Sequence, residues 1–197
     1  MLMFLSPFDP FWMTKLKGCV FAAFDTPPCA VCLAWKGKVI YKIELGADTE
    51  SRKFVLKIPE MMGRRRKAPA AVVRQIRRHL SGEGVPDYSA VILDPAIGAD
   101  FQRRIWEVTR AVPYGETRSY KWLAGEAGSP RAYRAVGQAM AKNPFPLVVP
   151  CHRVVASDGS LGGFSGGLEL KKALLDLEGS VCRRELPGSA HLWHPDR

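Results

Sequence analysis

Apolar positions along this chain follow two different periods, and the change between them divides it. Cys19–Phe24 is one unbroken apolar run. Ala30–Trp35 and Val39–Leu45 flank Lys36-Gly37-Lys38, a hairpin-type turn, so the stretch 18–45 is predicted to be strands. From residue 70 the period becomes helical: Val72, Val73, Ile76 and Leu80 share a stripe, with Gly82 just past its end, which predicts a helix over 70–80. Residues 84–99, rich in Gly, Pro and Asp, read as the connection between two units. Asp100 is placed to cap a helix carrying Phe101, Ile105, Val108 and Val112, which Pro113 and Gly115 stop. Ser119 is expected to cap a short helix over 120–126. Gly128 then turns the chain, Ser129 caps again, and Pro130 takes the first helical position of a helix over 130–142. Two short helices joined by a glycine-containing turn make a helix-turn-helix. Leu170, Leu174 and Leu177 predict a last helix over 168–178, closed by Gly179. The expected fold class is α/β, more narrowly α+β. A strand-rich N-terminal α/β domain (1–97, its first 17 residues an apolar arm) precedes a mostly helical domain (98–180) and a tail (181–197).

Composition narrows the partners. At 197 residues and 47% apolar, the chain can bury one good core or two small ones. A net charge of +10 points to a polyanionic partner, most simply nucleic acid, although charge alone fits a basic protein without one equally well. The run Arg64-Arg65-Arg66-Lys67 reads as a solvated, charged loop. Five cysteines, an odd number, suit a reducing compartment rather than a disulfide framework. Cys29 and Cys32 sit in an extended run, where their spacing puts them on opposite faces, so two structural cysteines are expected rather than a metal site. Cys182 has no evident partner. The apolar stretch Met1–Met13 is broken by Asp9 and Pro10 and lacks a basic leading region, which argues against a signal peptide. No apolar stretch is long enough to span a bilayer, and the expected location is the cytoplasm. Phe4, Phe8, Phe11 and Trp12 are expected to pack on a neighbouring surface or to form a sticky arm.

The chemistry concentrates at Pro146–Val155, where Cys151 and His152 adjoin. Val149 precedes Pro150 and so favours extended backbone, and Pro150 cannot donate to a ladder; the segment is expected to arrive as a buried strand and break at Cys151. A free thiol titrates near ~8.5, so it needs a base or a cation to react at neutral pH. Neighbouring strand residues point to opposite faces, so a bridging water or a bend must connect Cys151 with His152. Glu178 is the nearest carboxylate that could orient the imidazole. By itself, such adjacency fits an inert buried cysteine better. Downstream, the glycine-rich segment 157–167 favours close backbone approach to a ligand. In 130–140, Ala and Gly alternate with few long side chains; this suits either close approach to a duplex or packing against the first helix.

Taken together, these segments resemble the O6-alkylguanine-DNA alkyltransferases, also called methylated-DNA–protein-cysteine methyltransferases. The likeness covers about Phe101 to Gly179. It rests on Pro-Cys-His-Arg-Val at 150–154, Arg-Ala-Val-Gly at 134–137, Asn143-Pro144, Gly115-Glu116-Thr117 with Ser119-Tyr120, and Leu177-Glu178-Gly179. The resemblance implies a single-turnover repair reaction on double-stranded DNA containing O6-alkylguanine, with activity on O4 of thymine, by a monomer with no cofactor, metal or membrane. Cys151 would be the nucleophile, activated through a water to His152 and Glu178. Asn143 would brace the cysteine turn and Tyr120 would donate to the departing guanine. Arg134 would fill the gap in the base stack, with Ser119, Arg131, Ala135 and Gly137 also against DNA. The lesion pocket would include Pro146, Val154, Phe164, Ser165 and Gly166. Carbonyls of Cys151 and Val154 would accept from the exocyclic amine, and the Ser165 N–H would meet O6. Phe164 stands where the family often has tyrosine, which removes a hydroxyl but keeps a ring as a wall. Pro146, Gly162 and Gly166 are expected to leave room for groups as large as benzyl. Two other readings are a lesion-binding module without transfer, which would lack the cysteine, and a cysteine hydrolase, which leaves the helix pair unexplained.

Overall fold

The structure is a computed structural model and describes residues 14–185. Three antiparallel strands, β1 (Val20–Thr26), β2 (Cys29–Lys36) and β3 (Val39–Gly46), form a meander, and β4 (Ile92–Leu93) adds in parallel to β3. The three strands and the turn at Gly37 fall where the apolar runs predict them. Along β2 every residue but Lys36 is buried, because both faces are covered. One cover is a helix that the periodicity did not predict, α1 (Thr49–Met61), which packs across β1, β2 and β3. Asp48 caps it, accepting from the N–H groups of Glu50 and Ser51 at 3.0 Å each. Its buried stripe is short (Ser51, Val55, Ile58), and Pro59 inside it imitates a helix breaker.

Helix α2 (Ala70–Ser81) ends as expected, with Gly82 left-handed at φ 68°. Helix α3 (Asp100–Arg110) departs in detail: Ala99 is its cap, and Asp100 is already helical and pairs with Arg103. The Gln102 side chain accepts from the Ala99 N–H at 2.9 Å, taking the capping role expected of Asp100. Ser119 does cap α4 (Tyr120–Glu126), accepting from the Trp122 N–H at 3.0 Å. Helix α5 covers only Tyr133–Ala141, not 130–142. Ser129–Ala132 instead close a β-turn, in which the Ala132 N–H donates to the Ser129 carbonyl at 2.8 Å. Proline at the second place of such a turn is as comfortable as at a helix start.

The last helix, α6 (Leu168–Glu185), runs straight through Gly179, so the expected cap there is wrong and the helix continues past 181. Val181 and Cys182 are fully buried and carry the apolar stripe onward. That packing outweighs the ~1 kcal/mol an interior glycine costs a helix. Cys182 also has a partner after all, the Tyr114 carbonyl at 3.3 Å.

Buried side chains of β1–β3 and α2 merge with Ile105, Trp106, Leu123, Val136, Leu147 and Leu174 into one cluster, so the two expected units share a core across residues 97 and 98. Trp106 Nε1 donates to the Ala139 carbonyl at 2.9 Å and ties α3 to α5. From the sheet, the Ile43 N–H donates to the Pro144 carbonyl at 2.8 Å, just ahead of the Cys151 segment. Leu16, in the expected arm, is buried in this core; Phe4, Phe8, Phe11 and Trp12 lie outside the described residues, as does 186–197. Among the described residues no helix is long and apolar enough to cross a membrane.

Candidate active site

The Cys151 segment is not a strand. Residues 144–150 form successive turns, Cys151–Arg153 a single 3₁₀ turn, and only then does β6 (Val154–Val155) begin. Pro146 and Pro150 remove two ladder donors, and the remaining groups are satisfied locally. Across Pro150 the Cys151 N–H donates to the Val149 carbonyl at 2.8 Å, an inverse γ-turn, and the Val149 N–H reaches the Phe145 carbonyl at 2.8 Å. Asn143 clamps the whole: its oxygen accepts from the Phe145 N–H at 3.0 Å, while its Nδ2 donates to the Val149 carbonyl at 2.8 Å and to Cys151 Sγ at 3.1 Å. Beyond the turn, β6 pairs in parallel with β5 (Arg118–Ser119), whose Ser119 caps α4. The cysteine and the helix pair are thereby set in one frame.

Cys151 is only 4% exposed, yet it lines a pocket of about 340 Å³ with Tyr120, Tyr133, Gly137, Met140, Ala141, Gly163, Phe164 and Ser165. Burial pushes its thiol up, opposed by the Asn143 hydrogen bond and the nearby Lys171 charge. Tyr120 is pushed up as well, by burial and then by Cys151, so its hydroxyl stays a donor.

Glu178 is the hub behind the thiol. One carboxylate oxygen accepts from His152 Nε2 at 2.7 Å, His79 Nε2 at 2.7 Å and Arg153 Nη2 at 3.0 Å; the other accepts from Arg153 Nε at 2.8 Å and the Gly115 N–H at 2.9 Å. Burial alone would raise this carboxyl, but Arg153, His152 and the two histidine hydrogen bonds hold it well below the usual range. An ionised carboxylate only accepts, so both imidazoles carry their proton on Nε2. In His79 the bare Nδ1 faces the Tyr88 hydroxyl at 3.1 Å. In His152 the bare Nδ1 is buried without a protein partner among the described residues, while burial drives the ring down to about 4. His152 is thus a neutral base whose free lone pair lies next to the nucleophile in sequence.

His79, His152 and Glu178 place ligand atoms within 4.8 Å of one another, as a metal site would. Arg153, however, hydrogen-bonds both carboxylate oxygens, and an ion could bind there only by displacing it. The set reads as a hydrogen-bonded hub.

Besides the pocket liners Tyr133 and Met140, three residues behind the thiol escaped the sequence reading: His79 on α2, Arg153, and Lys171 on α6. Lys171 is fully buried and donates to the carbonyls of Val154 at 2.6 Å, Gly163 at 3.4 Å and Leu161, fastening the glycine-rich segment. Burial lowers its pKa to about 8.

Of the expected pocket residues, Phe164 and Ser165 line the cavity; Pro146, Val154 and Gly166 do not. Pro146 is buried inside the turns, and the Val154 carbonyl is already held by Lys171. Nor do Gly162 and Gly166 make room for a ligand. A Cβ on Gly166 would meet the Phe164 ring at 2.8 Å, and one on Gly162 (φ +64°) would meet the Tyr120 hydroxyl at 2.9 Å, so each makes room for an aromatic wall. Phe164 stands edge-on to His152, with ring centres 6.5 Å apart. On the outer face, Arg131, Arg134 and Ala135 are exposed, Ser119 and Gly137 half-buried, and the space over the Gly137 Cα is open.

Comparison with known proteins gives the family. Residues 100–180 match the family described as 6-O-methylguanine DNA methyltransferase, DNA binding domain. A protein of Mycobacterium leprae named methylated-DNA–protein-cysteine methyltransferase is 38% identical over 79% of this chain and 90% of its own length. This chain belongs to that family. Among solved structures, Mycobacterium tuberculosis OGT in complex with DNA matches with a TM-score of 0.67 at 36% identity, over 82% of this chain and 93% of that one. The O6-methylguanine-DNA methyltransferase of Pyrococcus kodakaraensis matches with a TM-score of 0.61 at 29% identity, over 82% and 99%. Both matches extend well into the N-terminal half, and the mixed α/β class expected from the sequence is that of these family structures.

Proposed function

We propose that this protein repairs DNA by direct reversal, moving a methyl or larger alkyl group from O6 of guanine, and from O4 of thymine, onto Cys151 in one irreversible turnover. The observation that carries the reading is Cys151 lining an open pocket while the next residue, the neutral His152, keeps its Nδ1 without a protein partner among the described residues. The thiol proton passes through a water to that nitrogen, and Glu178 stabilises the imidazolium that results. Sulfur then attacks the alkyl carbon in line as the carbon–oxygen bond breaks, and the electron pair leaves on guanine. Tyr120 donates to the leaving base, which neutralises it as charge develops. The net change is one proton exchanged for one alkyl group at sulfur. The thioether does not turn over, and neither cofactor nor metal takes part.

The base enters by extrusion from the duplex, which costs a few kcal/mol and least for a lesion that pairs poorly. Arg134 takes its place in the stack from the minor groove. Ala135, Gly137, Ser119 and Arg131 let α5 lie close to the backbone, a binding mode suited to small residues. Tyr133, Met140 and Phe164 enclose the base, and the Ser165 N–H meets O6. The carbonyl of Val154 keeps one lone pair free for the exocyclic amine beside its bond to Lys171. Residues 98–180, with α6 continued to 185, act as the DNA-binding and catalytic part, on the scaffold of the N-terminal half. The working form is a monomer in the cytoplasm, where the cysteines stay reduced.

Intact mass tests this directly. Incubation with a duplex carrying O6-methylguanine should add one methylene per chain, and Cys151→Ser should gain nothing. A parallel incubation with O6-benzylguanine should add one benzyl group, since Gly137, Ala141 and Gly163 keep one side of the pocket small. Lesion removal by Cys151→Ser would overturn the reading.

A further inference from the structure

The run Arg64-Arg65-Arg66-Lys67 is the exposed, charged loop expected from the sequence, but it is held in place. The Phe21 N–H donates to the Arg64 carbonyl at 2.9 Å and the Arg66 N–H to the Phe21 carbonyl at 2.8 Å, which fastens the run along the outer edge of β1. Facing it is the exposed side of α2, where Arg74, Arg77 and Arg78 follow helical spacing. Between them lies a groove of about 1030 Å³ lined by six cationic side chains (Arg65, Arg66, Lys67, Arg74, Arg77, Arg78) and a single carboxylate, Glu83. Arg65 pairs with Glu60 at 3.3 Å; the other five have no carboxylate partner among the described residues. Helix α2 contains no acidic residue at all, so its arginines repel one another without relief. A folded chain that concentrates like charge in a groove, and holds it there by backbone bonds, is arranged for an anion with repeated charges.

The floor says which anion. Phe24 lies there among Ala22, Ala23, Ala68, Ala70 and Val73, with the Arg77 guanidinium over its ring at 4.9 Å from the centre. Cations along the walls and an aromatic–guanidinium platform beneath are what a single strand requires, its phosphates on the rim and its bases stacked inside. A duplex keeps its bases inside and has no use for such a floor. We propose that this groove binds single-stranded nucleic acid, as a second site separate from the lesion-reading face. By contrast, α5 itself carries only Arg134 as a cation. The chain can then hold a duplex at α5 and an unpaired strand in this groove.

The test uses the full chain, an unmodified fluorescent oligothymidine and the variant Arg74→Gln/Arg77→Gln/Arg78→Gln. At 0.15 M salt, where the Debye length of about 8 Å limits long-range effects, the variant should lose at least tenfold in single-strand affinity. Losing three phosphate contacts should flatten the log–log salt dependence by about 2, at ~0.7 per contact on a single strand. Methyl transfer from saturating duplex should stay within twofold, so failure here and failure of the repair reading show in different assays. Independently, an oligonucleotide carrying 4-thiothymidine should crosslink to the peptide containing Phe24. Single-strand affinity within twofold of the parent, an equal loss for duplex, crosslinks confined to α4 and α5, or binding only to anionic lipid vesicles would each overturn the proposal.

Discussion

Replacing Glu178 with glutamine isolates charge from shape at the hub. The side chains are nearly isosteric, so packing is kept while one acceptor oxygen becomes an NH2 group. Whichever way the amide turns, it meets donors: Arg153 Nε and the Gly115 N–H on one side, Arg153 Nη2 and two histidines on the other. Arg153, 6% exposed, is left without its counter-charge. Breaking a buried pair by removing one partner costs about 3–5 kcal/mol, a fifth or more of the ~5–15 kcal/mol that holds a typical domain folded. The chemistry suffers separately. If the amide faces the histidines, His152 must accept at Nε2 and carry its proton on Nδ1, which abolishes the base. If it faces Arg153, the imidazolium formed in the reaction loses its negative partner. General-base assistance contributes about 10²–10⁴ in rate, so single-turnover methyl transfer at saturating duplex should fall at least a hundredfold. Urea titration should show a lower midpoint at unchanged slope, and stopped reactions quantified by intact mass give the rate. Stability within 1 kcal/mol of the parent together with an unaltered rate would refute the idea that this carboxylate links fold and reactivity.

Acid should unfold the protein through the same cluster. Burial holds His152 at about 4, against the ~6.5 of a free imidazole, and also lowers His79. The unfolded chain therefore binds more protons in that window, so stability is complete above about pH 6.5 and is lost as pH falls toward 4. Glu178, held well below the carboxylate range, extends the loss to lower pH. Thermal melts between pH 7 and pH 4 should show a falling Tm, and a flat profile would contradict the neutral, buried state of both rings. Lys171→Met should keep volume but release the carbonyls of Val154, Leu161 and Gly163, costing about 1–3 kcal/mol and slowing transfer roughly tenfold. Hydrogen exchange across 161–167 checks it, and unchanged protection there would count against the fastening role.

What the sequence made legible was local. Asn143, Cys151 and His152 lie within ten positions, and Ser119 caps the helix that follows it, so short motifs carry their chemistry on the page. Glu178 was found because it sits at the end of the last helix, where a carboxylate can fold back on the nucleophile, and within the motif Leu177-Glu178-Gly179. His79 was not, since its contact with Glu178 spans 99 positions and a histidine in the last turn of α2 has no local mark. Lys171 did leave a trace: it lies on the same buried stripe of α6 as Leu174, Leu175 and Glu178, and a lysine among leucines there announces a buried partner. The Cys151 segment misled because an apolar run bounded by prolines reads as a strand, whereas missing donors at Pro146 and Pro150 make it a chain of turns. Pro59 hid α1 in the same way, by looking like a stop.

The bond between His79 and Glu178 joins the first half of the chain to the second at the one carboxylate on which the reactive pair depends. On the proposed mechanism, the imidazole next to the nucleophile is therefore oriented by a carboxylate that the N-terminal half also grips, although Cys151 and His152 come from a single short segment. A side chain from the first half of the sequence thus shares the carboxylate that sits behind Cys151, so fold and site are tied at one atom.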